Sequence, residues 1–402
     1  MISARSSFFD QLIVSGSNFF IVVLAARLLE AEEVAKYAYA FAFYILLYMV
    51  ANAWIYQNIM AIGQKKLESD GLLLNFSRLN YILVLFSIPV SLFLFQLLVS
   101  GSFSNVLWVE SGLVAVFIAV NQMIDYERRI LYFSAHSPLK GPALVSTVGF
   151  LVRVIALVIV QPGTFEEFMI TLIIFSLPAL YFSVKRFSYS PNNDFILFVA
   201  QQIKNGKWMT LNIPVNWAWG QAPVFIVGAF LGLRAAGVYA AIRSISNIAN
   251  VVMEMIPTYF ASRLSNLFSS GKMNEYKKYM LVYVGAGVMA WGLALSVIFL
   301  FGENILELLL GDGYSSYWKL FLLFWIFNIL VFFTRFQFIH LRFVEKTYVT
   351  PLANLVGVFA LCVSFFLWFD DKGVLGIAWA MIFGAITIVY VQYICRNMVL
   401  SQ

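Results

Sequence analysis

The sequence predicts an all-α polytopic membrane protein. Hydrophobic residues make up 62% of the 402 residues and charged residues only 11%, whereas soluble domains are about half apolar and about a quarter charged. The apolar residues fall in continuous runs of about 20, the length that crosses a bilayer as a helix. These runs do not alternate as the strands of a barrel do, so the expected spans are helices. The composition excludes a water-soluble protein.

Twelve apolar segments follow one another along the chain, and each is predicted to be a transmembrane helix. They cover residues 11–29, 37–62, 79–99, 105–124, 141–161, 164–184, 207–231, 235–262, 279–302, 316–334, 347–369 and 373–395. The first segment lacks a small-residue cleavage site and is therefore expected to be a span rather than a removable signal peptide.

The basic residues predict the orientation of these spans. When the connections are assigned alternately to two sides, nineteen Lys and Arg residues fall on one side and five on the other. The basic side of a multi-pass protein faces the cytoplasm. Both termini are therefore expected to be cytoplasmic. A missed or additional span would distribute the basic residues evenly between the two sides, so the asymmetry also supports the count of twelve. The net charge of +6 is read as this topology signal, and a nucleic-acid partner is not expected.

An internal repeat divides the chain into two six-helix halves around a central cavity. Leu29, Tyr37 and Ala38 match Leu231, Tyr239 and Ala240, each at an offset of 202 residues. We expect halves at 1–200 and 201–402. Six spans in each half make the repeat parallel, and repeat transporters place substrate between their repeats. The polar stretch 185–207 is the expected hinge between the halves, and the proline-containing seventh span is expected to be broken or kinked.

Sequence motifs for other kinds of chemistry are missing. No Gly-x-x-x-x-Gly-Lys-Ser/Thr loop occurs, so ATP is not expected to be the direct fuel. No second His, Cys or carboxylate cluster lies at metal-ligand spacing from His136 or His340. No metal or cofactor is therefore expected. A membrane glycosyl polymerase needs a large outer loop, and the longest predicted one covers only about residues 301–315. We therefore do not expect an enzyme.

Ionisable residues inside the spans are the candidate site residues. A charge at the bilayer centre costs roughly 2.5–3.5 kcal/mol or more unless it faces the protein interior or a water-filled cavity. Arg153 lies near the middle of the fifth span. Arg243, Asn247, Asn250 and Glu254 are spaced by four, three and four residues in the eighth span, which places them on one helical face. That face is expected to line the cavity.

These residues admit two interpretations. In the first, Arg153 and Glu254 form a buried ion pair that fixes helix positions. In the second, Arg153 and Arg243 bind an anionic group, because guanidinium recognises phosphate through two parallel hydrogen bonds. Two arginines in a cavity suit a lipid-linked diphosphate. Glu254 is then the candidate for coupling transport to a proton or sodium ion.

Two short motifs resemble a known family. The run from Asp10 to Phe19, followed by residues 26–29 and by Tyr37 and Ala38, looks like the start of Wzx-type polysaccharide flippases of the multidrug/oligosaccharidyl-lipid/polysaccharide (MOP) exporter superfamily. Residues 237–241 with Arg243 resemble the stretch that enters the eighth span in those proteins. Glu30 and Ala35 stand where family members usually carry glycine.

The resemblance implies a multi-pass transporter of the bacterial inner membrane with a cationic central cavity. Its substrate would be an undecaprenyl-diphosphate-linked oligosaccharide for O-antigen, capsule or exopolysaccharide. Membrane lipids would surround the protein. Polymerase and chain-length proteins of the same pathway would be candidate partners. Arg27 and Arg243 match family positions and join Arg153, Asn247 and Asn250 as candidate substrate ligands. A multidrug or cation antiporter of the same fold is the first alternative, and a membrane glycosyl polymerase is the second.

Overall fold

The computed structural model describes most of the chain at the level of secondary structure. The described residues are 4–62, 72–100, 107–131, 145–184, 195–248, 264, 267–268, 270–343 and 349–400. Within these ranges the structure is nearly all helical and contains no β-strand. The predicted all-α class is confirmed.

The described residues include fourteen α-helices of very different length. They are α1 (Ala4–Leu28), α2 (Ala31–Ala51), α3 (Gln57–Ile62), α4 (Leu72–Ser100), α5 (Leu107–Leu131), α6 (Val152–Val160), α7 (Phe165–Ile174), α8 (Leu177–Val184), α9 (Phe195–Leu231), α10 (Leu233–Ser246), α11 (Met273–Leu310), α12 (Trp318–Phe343), α13 (Val349–Lys372) and α14 (Val374–Leu400). A π-helical turn, Asn52–Tyr56, joins α2 to α3, and a second, Thr147–Leu151, precedes α6.

Each of the twelve predicted segments overlaps a helix of the structure. Seven helical stretches in the described ranges are long and apolar enough to cross a membrane, and Leu12–Leu28 and Thr147–Val160 are shorter apolar helices. Large apolar side chains such as Leu281, Met289 and Phe366 are about 70% exposed or more, as expected where lipid replaces water as the solvent. The chain is therefore a multi-pass membrane protein, and the number twelve stays a prediction.

Local sequence signals set the connections between neighbouring helices. Thr164 caps α7, because its hydroxyl accepts a hydrogen bond from the Glu167 amide at 3.3 Å. The Glu167 carboxylate accepts in turn from the Gly163 amide at 3.0 Å. Gly232 separates α9 from α10 with a φ of 87°, a left-handed conformation that glycine adopts without steric cost.

We call residues 4–184 the N-terminal segment and residues 195–400 the C-terminal segment. The end of the bundle that contains Glu30 and Gly311 is called the outer end, because the basic residues predict that it faces away from the cytoplasm. The opposite end is called the inner end. The largest cluster of buried apolar residues includes Tyr37, Phe168 and Phe324 and joins both segments.

Helix α9 runs along both segments. Its start packs on the N-terminal segment, where the rings of Phe198 and Phe76 lie 5.0 Å apart. Further along, Trp219 contacts Phe327 of the C-terminal segment at 5.9 Å. The seventh span is not broken, because Phe195–Leu231 is one helix with Pro214 and Pro223 inside it, and the expected kink stays a prediction. The predicted boundary at residue 200 falls within α9, and the division into two halves stays a prediction.

Candidate functional site

A pocket lies between the two segments, within the half of the bundle nearer the outer end. Its cavity volume is about 80 Å³, and it is partly open to its surroundings. Helices α1 and α2 form one wall, and α9 and α10 form the other. The lining is Val22, Val34, Tyr37, Ala38, Phe41, Gly220, Gln221, Val224, Tyr239, Ala240, Ala241, Arg243, Ser244 and Asn247. Among the described residues no carboxylate belongs to this lining, and its one described charged side chain is a guanidinium.

Arg243 is the charged group of the pocket. It lies ten residues after the start of α10, about 15 Å from the outer end at the rise of an α-helix. Its Nη1 donates to the Tyr239 hydroxyl at 3.2 Å, and its Cζ lies 5.7 Å from the centre of that ring. No described carboxylate lies within ion-pairing distance of Arg243. Most of its five N–H donors therefore stay available to a ligand.

The face of α10 was predicted from residue spacing, and its described part lines the pocket, while its role in binding substrate stays a prediction. Tyr239, Arg243 and Asn247 follow one another at intervals of four residues and all line the pocket, as expected for one face of an α-helix. Asn250 and Glu254, which the same spacing places further along, lie outside the described residues. Their roles as substrate ligand and ion-coupling group stay predictions.

Tyr37 and Tyr239 are pocket residues that the sequence analysis did not assign to the site. They occupy equivalent positions of the internal repeat, 202 residues apart, and both line the pocket. Tyr239 is fully buried, and its hydroxyl donates to the Met381 sulfur at 3.0 Å. The repeat itself was the available signal, because residues related by an axis through a cavity recur on both of its walls.

Arg153 lies inside the N-terminal segment and does not line the pocket. It is 2% exposed. Its Nη1 donates to Asn121 Oδ1 at 2.7 Å, and its Nε donates to the Ser176 hydroxyl. The guanidinium also lies over the ring of Phe150, with Cζ 5.1 Å from its centre. No described carboxylate pairs with Arg153, and direct contact with substrate stays a prediction for this residue.

Arg27 lies at the outer end and is exposed, outside the pocket lining. Its Nε donates to the carbonyl oxygen of Leu309 at 3.0 Å, and its Nη2 donates to that of Leu308. These carbonyls belong to the last turn of α11, whose four final C=O groups have no partner within the helix. Arg27 thus joins the outer ends of the two segments. Its predicted role as a substrate ligand stays a prediction.

The outer end is closed further by direct contact between α2 and α10. Gly237 packs so closely on α2 that a Cβ at this position would overlap the Ala31 carbonyl oxygen and lie 2.6 Å from the carbonyl carbon. Tyr39 of α2 also stacks on Phe225 of α9, with ring centres 4.5 Å apart. Side chains and backbone of both segments are therefore in contact on the outer side of the pocket.

A second cationic cluster lies at the inner end of α5. Arg128 forms an ion pair with Asp125 at 3.1 Å and is 4% exposed. Arg129 lies over the rings of Tyr48 and Tyr56. The predicted fourth span ends at residue 124, which assigns both arginines to the following loop. That assignment is wrong, because α5 continues to Leu131.

Comparisons with known proteins identify the fold. The sequence matches no protein-family model and no curated protein. In structure, the chain is similar to an inward-facing multidrug resistance MATE family transporter of the MOP superfamily, with a TM-score of 0.76 and 13% identity over 97% of this chain and 94% of that chain. An outward-facing conformation of such a transporter gives a TM-score of 0.53 with 14% identity over 100% and 92%.

The lipid II flippase MurJ, in an inward closed conformation, gives a TM-score of 0.62 with 14% identity over 98% of this chain and 87% of that chain. The chain therefore has the MATE- and MurJ-like transporter fold. Proteins with this fold among the neighbours are transporters and a flippase rather than enzymes.

Proposed function

We propose that the chain is a Wzx-type flippase of the MOP superfamily. It moves an undecaprenyl-diphosphate-linked oligosaccharide across the bacterial inner membrane by alternating access, with both termini in the cytoplasm. The shared fold supports a transporter whose substrate lies between two bundles. The substrate class rests on the charge of the pocket.

The observation that carries this proposal is the Arg243 guanidinium, which pairs with no carboxylate among the described residues and lies in a pocket whose described lining contains none. A unit charge 4 Å from this guanidinium interacts with it by about 4 kcal/mol at an effective dielectric constant of about 20. The interaction stabilises a phosphate and opposes a cation by a similar amount. A diphosphate also matches the planar guanidinium, which can donate two parallel hydrogen bonds to phosphate oxygens.

The rest of the lining suits a glycan attached to that diphosphate. Gln221, Ser244 and Asn247 offer amide and hydroxyl groups, and Tyr37 and Phe41 present aromatic rings. Amides and hydroxyls both donate and accept hydrogen bonds, as sugar hydroxyls do. A lipid tail needs no protein contact, because it can stay in the bilayer while the polar head enters the pocket.

The contacts at the outer end support an inward-facing stage of the proposed transport cycle for this structure. Arg27 and Gly237 join the segments on the outer side of the pocket, and the TM-score is higher with the inward-facing MATE transporter than with the outward-facing one. This is the state that receives substrate from the cytoplasmic leaflet. Release then requires that the outer contacts separate.

The test is leaflet transfer of a labelled undecaprenyl-diphosphate-linked oligosaccharide in vesicles that contain the purified protein. Arg243→Ala should slow transfer by at least about tenfold, the equivalent of about 1.4 kcal/mol. Arg243→Lys should restore part of the rate, because lysine keeps the charge but lacks the planar fork. Arg234→Ala is the matched control, since Arg234 is an exposed arginine on the same helix. Equal rates for Arg243→Ala and the control would refute the proposal.

Transport of a cationic drug is the second candidate, and the structural similarity to a MATE transporter favours it. Vesicle uptake of ethidium separates the two. A cation antiporter should tolerate or even benefit from Arg243→Ala, because the substitution removes a repulsive charge from the pocket. It should also depend on Glu254 and on an ion gradient. The flippase proposal expects no ethidium transport by the unmodified protein.

A further inference from the structure

The π-helical turn after α2 places two tyrosines on one face. Residues eight positions apart on a regular α-helix point about 80° apart, because each residue turns the helix by about 100°. A π turn holds one additional residue, which brings the angle between positions 48 and 56 to roughly 20°. The ring centres of Tyr48 and Tyr56 accordingly lie 6.1 Å apart. Without the turn Asn52–Tyr56 they would point to different neighbours.

The guanidinium of Arg129 lies against both rings. Its Cζ is 5.0 Å from the centre of the Tyr48 ring and 4.8 Å from that of the Tyr56 ring, and its Nη2 donates to the Tyr48 hydroxyl. Arginine prefers such positions over the negative face of an aromatic ring. Two tyrosines on α2 and the turn that follows it therefore fix the position of a cation on α5.

The charge of Arg129 is not neutralised by the described protein. Asp125 pairs with the neighbouring Arg128, and no described carboxylate lies within ion-pairing distance of Arg129. Among the described residues, its buried Nε has no hydrogen-bond partner, and neither does the buried hydroxyl of Tyr56. Tyr56 is 2% exposed. Buried donors without partners are rare because each is costly. The guanidinium Nε and the neighbouring hydroxyl, both without a partner, therefore indicate a missing anionic acceptor.

This cluster is separate from the pocket of Arg243. Arg129 lies 22 residues after the start of α5 at the outer end, which corresponds to about 33 Å of helix, compared with about 15 Å for Arg243 on α10. The two guanidinium groups are therefore separated by roughly 18 Å along the helix axes. One diphosphate is too short to bind both at once. A phosphate group at Arg129 would be near the inner end, before it reaches the pocket.

We propose that Arg129, clamped by Tyr48 and Tyr56, is a second phosphate-binding position at the inner end. It receives the phosphate group of the substrate before Arg243 does, so this inference rests on the proposed function. The ligand chemistry is a phosphate with at least two free oxygens, either on a lipid headgroup or in solution. Arg129 donates its unused N–H groups to these oxygens, and the Tyr56 hydroxyl donates a further hydrogen bond.

The experiment measures binding to the full-length protein in nanodiscs of phosphatidylcholine. One arm titrates undecaprenyl diphosphate, and the other titrates inorganic diphosphate. Both arms use an Arg243→Gln background, so that only the second position is left. Adding Arg129→Gln should weaken binding in at least one arm by about tenfold or more, as expected for the loss of charge-assisted hydrogen bonds. Lys204→Gln is the control, because it removes an exposed charge near the inner end of α9.

The results separate this inference from the proposed function. Loss only in the lipid arm identifies a headgroup as the ligand, and loss in both arms identifies the phosphate itself. If Arg129→Gln changes neither arm, or if Arg243→Gln alone already abolishes all binding, the second position does not exist while the proposed function stands. If Arg243→Gln leaves transfer of the lipid-linked oligosaccharide unchanged, the proposed function fails instead.

A purely structural role for Arg129 makes a different prediction. It would lower the thermal unfolding midpoint of Arg129→Gln and leave diphosphate binding unchanged, which would overturn the inference. Should Arg129→Gln fail to fold, Arg129→Lys replaces it, because lysine keeps the charge over the two rings. Its binding should still weaken by about tenfold, since the planar fork is lost, and wild-type affinity in Arg129→Lys would overturn the inference too.

Discussion

The substitution Gly237→Ala tests whether contact between α2 and α10 closes the outer end. A Cβ at residue 237 would lie 2.6 Å from the Ala31 carbonyl carbon and 3.2 Å from the Ala35 nitrogen. These neighbours are backbone atoms, which cannot rotate away as a flexible side chain can. The two helices must therefore separate by about 1 Å in the closed state.

The expected size of the effect follows from the cost of overpacking. Forcing one additional methyl group into a well-packed contact costs about 1–3 kcal/mol. The penalty applies only to the state in which the outer ends are in contact. The equilibrium between the outer-closed and outer-open states therefore shifts toward the outer-open state by a factor of about 5 to 150. A minor outer-open population should become measurable.

Distances between spin labels report this shift. We would label cysteines introduced at Gly163 and Ser316, which are exposed positions at the outer ends of the two segments, after replacing Cys362 and Cys395 with serine. Gly237→Ala should increase the fraction of long distances in vesicles. Gly292→Ala is the control, because a Cβ there meets nothing within 4 Å. An unchanged distance distribution in Gly237→Ala, or an equal change in the control, would refute the closure argument.

Three further substitutions test other contacts. Arg27→Ala removes the hydrogen bonds to the end of α11 and should widen the same outer distances, and unchanged distances would show that these bonds do not hold the outer end. Arg153→Leu leaves the Asn121 carbonyl oxygen without its partner and should destabilise the protein by about 1–3 kcal/mol, seen as a lower thermal unfolding midpoint; a midpoint equal to wild type contradicts this role. Trp54→Phe and Thr210→Val each remove the 2.8 Å hydrogen bond between α9 and the π turn. Their double-mutant cycle in unfolding should give a coupling of about 0.5–1.5 kcal/mol, and additive effects would argue against docking of α9 through this bond.

The helices and the described part of the α10 face could be predicted because they depend on local sequence. An apolar run of about 20 residues predicts a membrane-spanning helix, and residues four positions apart lie on the same face of that helix. Arg243 and Asn247, which the spacing puts on one face, both line the pocket, and their binding of substrate stays a prediction. The resemblance of the first-span motif suggested a transporter of this fold, and the solved structures show the MATE- and MurJ-like fold.

Contacts between distant residues could not be predicted in the same way. The partners of Arg153 are Asn121 and Ser176, which lie 32 and 23 residues away along the chain, and neither carries a charge that would identify it. Arg129 was counted as a loop residue because four charged residues follow residue 124. These charges stay within α5 because Asp125 neutralises Arg128 and because aromatic rings cover Arg129.

The start of the seventh span was missed for a related reason. Residues 195–207 are polar enough to be read as a linker, yet they form the first third of α9. Their helix is stabilised by packing on the N-terminal segment, where the Asn58 side chain donates to the Gln202 carbonyl oxygen at 3.3 Å. Most helical stability comes from such tertiary packing, which a hydropathy pattern does not contain.

The central claim is that an unneutralised guanidinium in the pocket binds the diphosphate of a carrier lipid. Its most direct test is the affinity of purified protein for undecaprenyl diphosphate compared with undecaprenol, which lacks the phosphates. We expect Arg243→Ala to reduce diphosphate affinity by at least about tenfold and to leave the weak binding of undecaprenol unchanged. Equal affinity of the unmodified protein for the two lipids, or an unchanged diphosphate affinity in Arg243→Ala, would contradict the account.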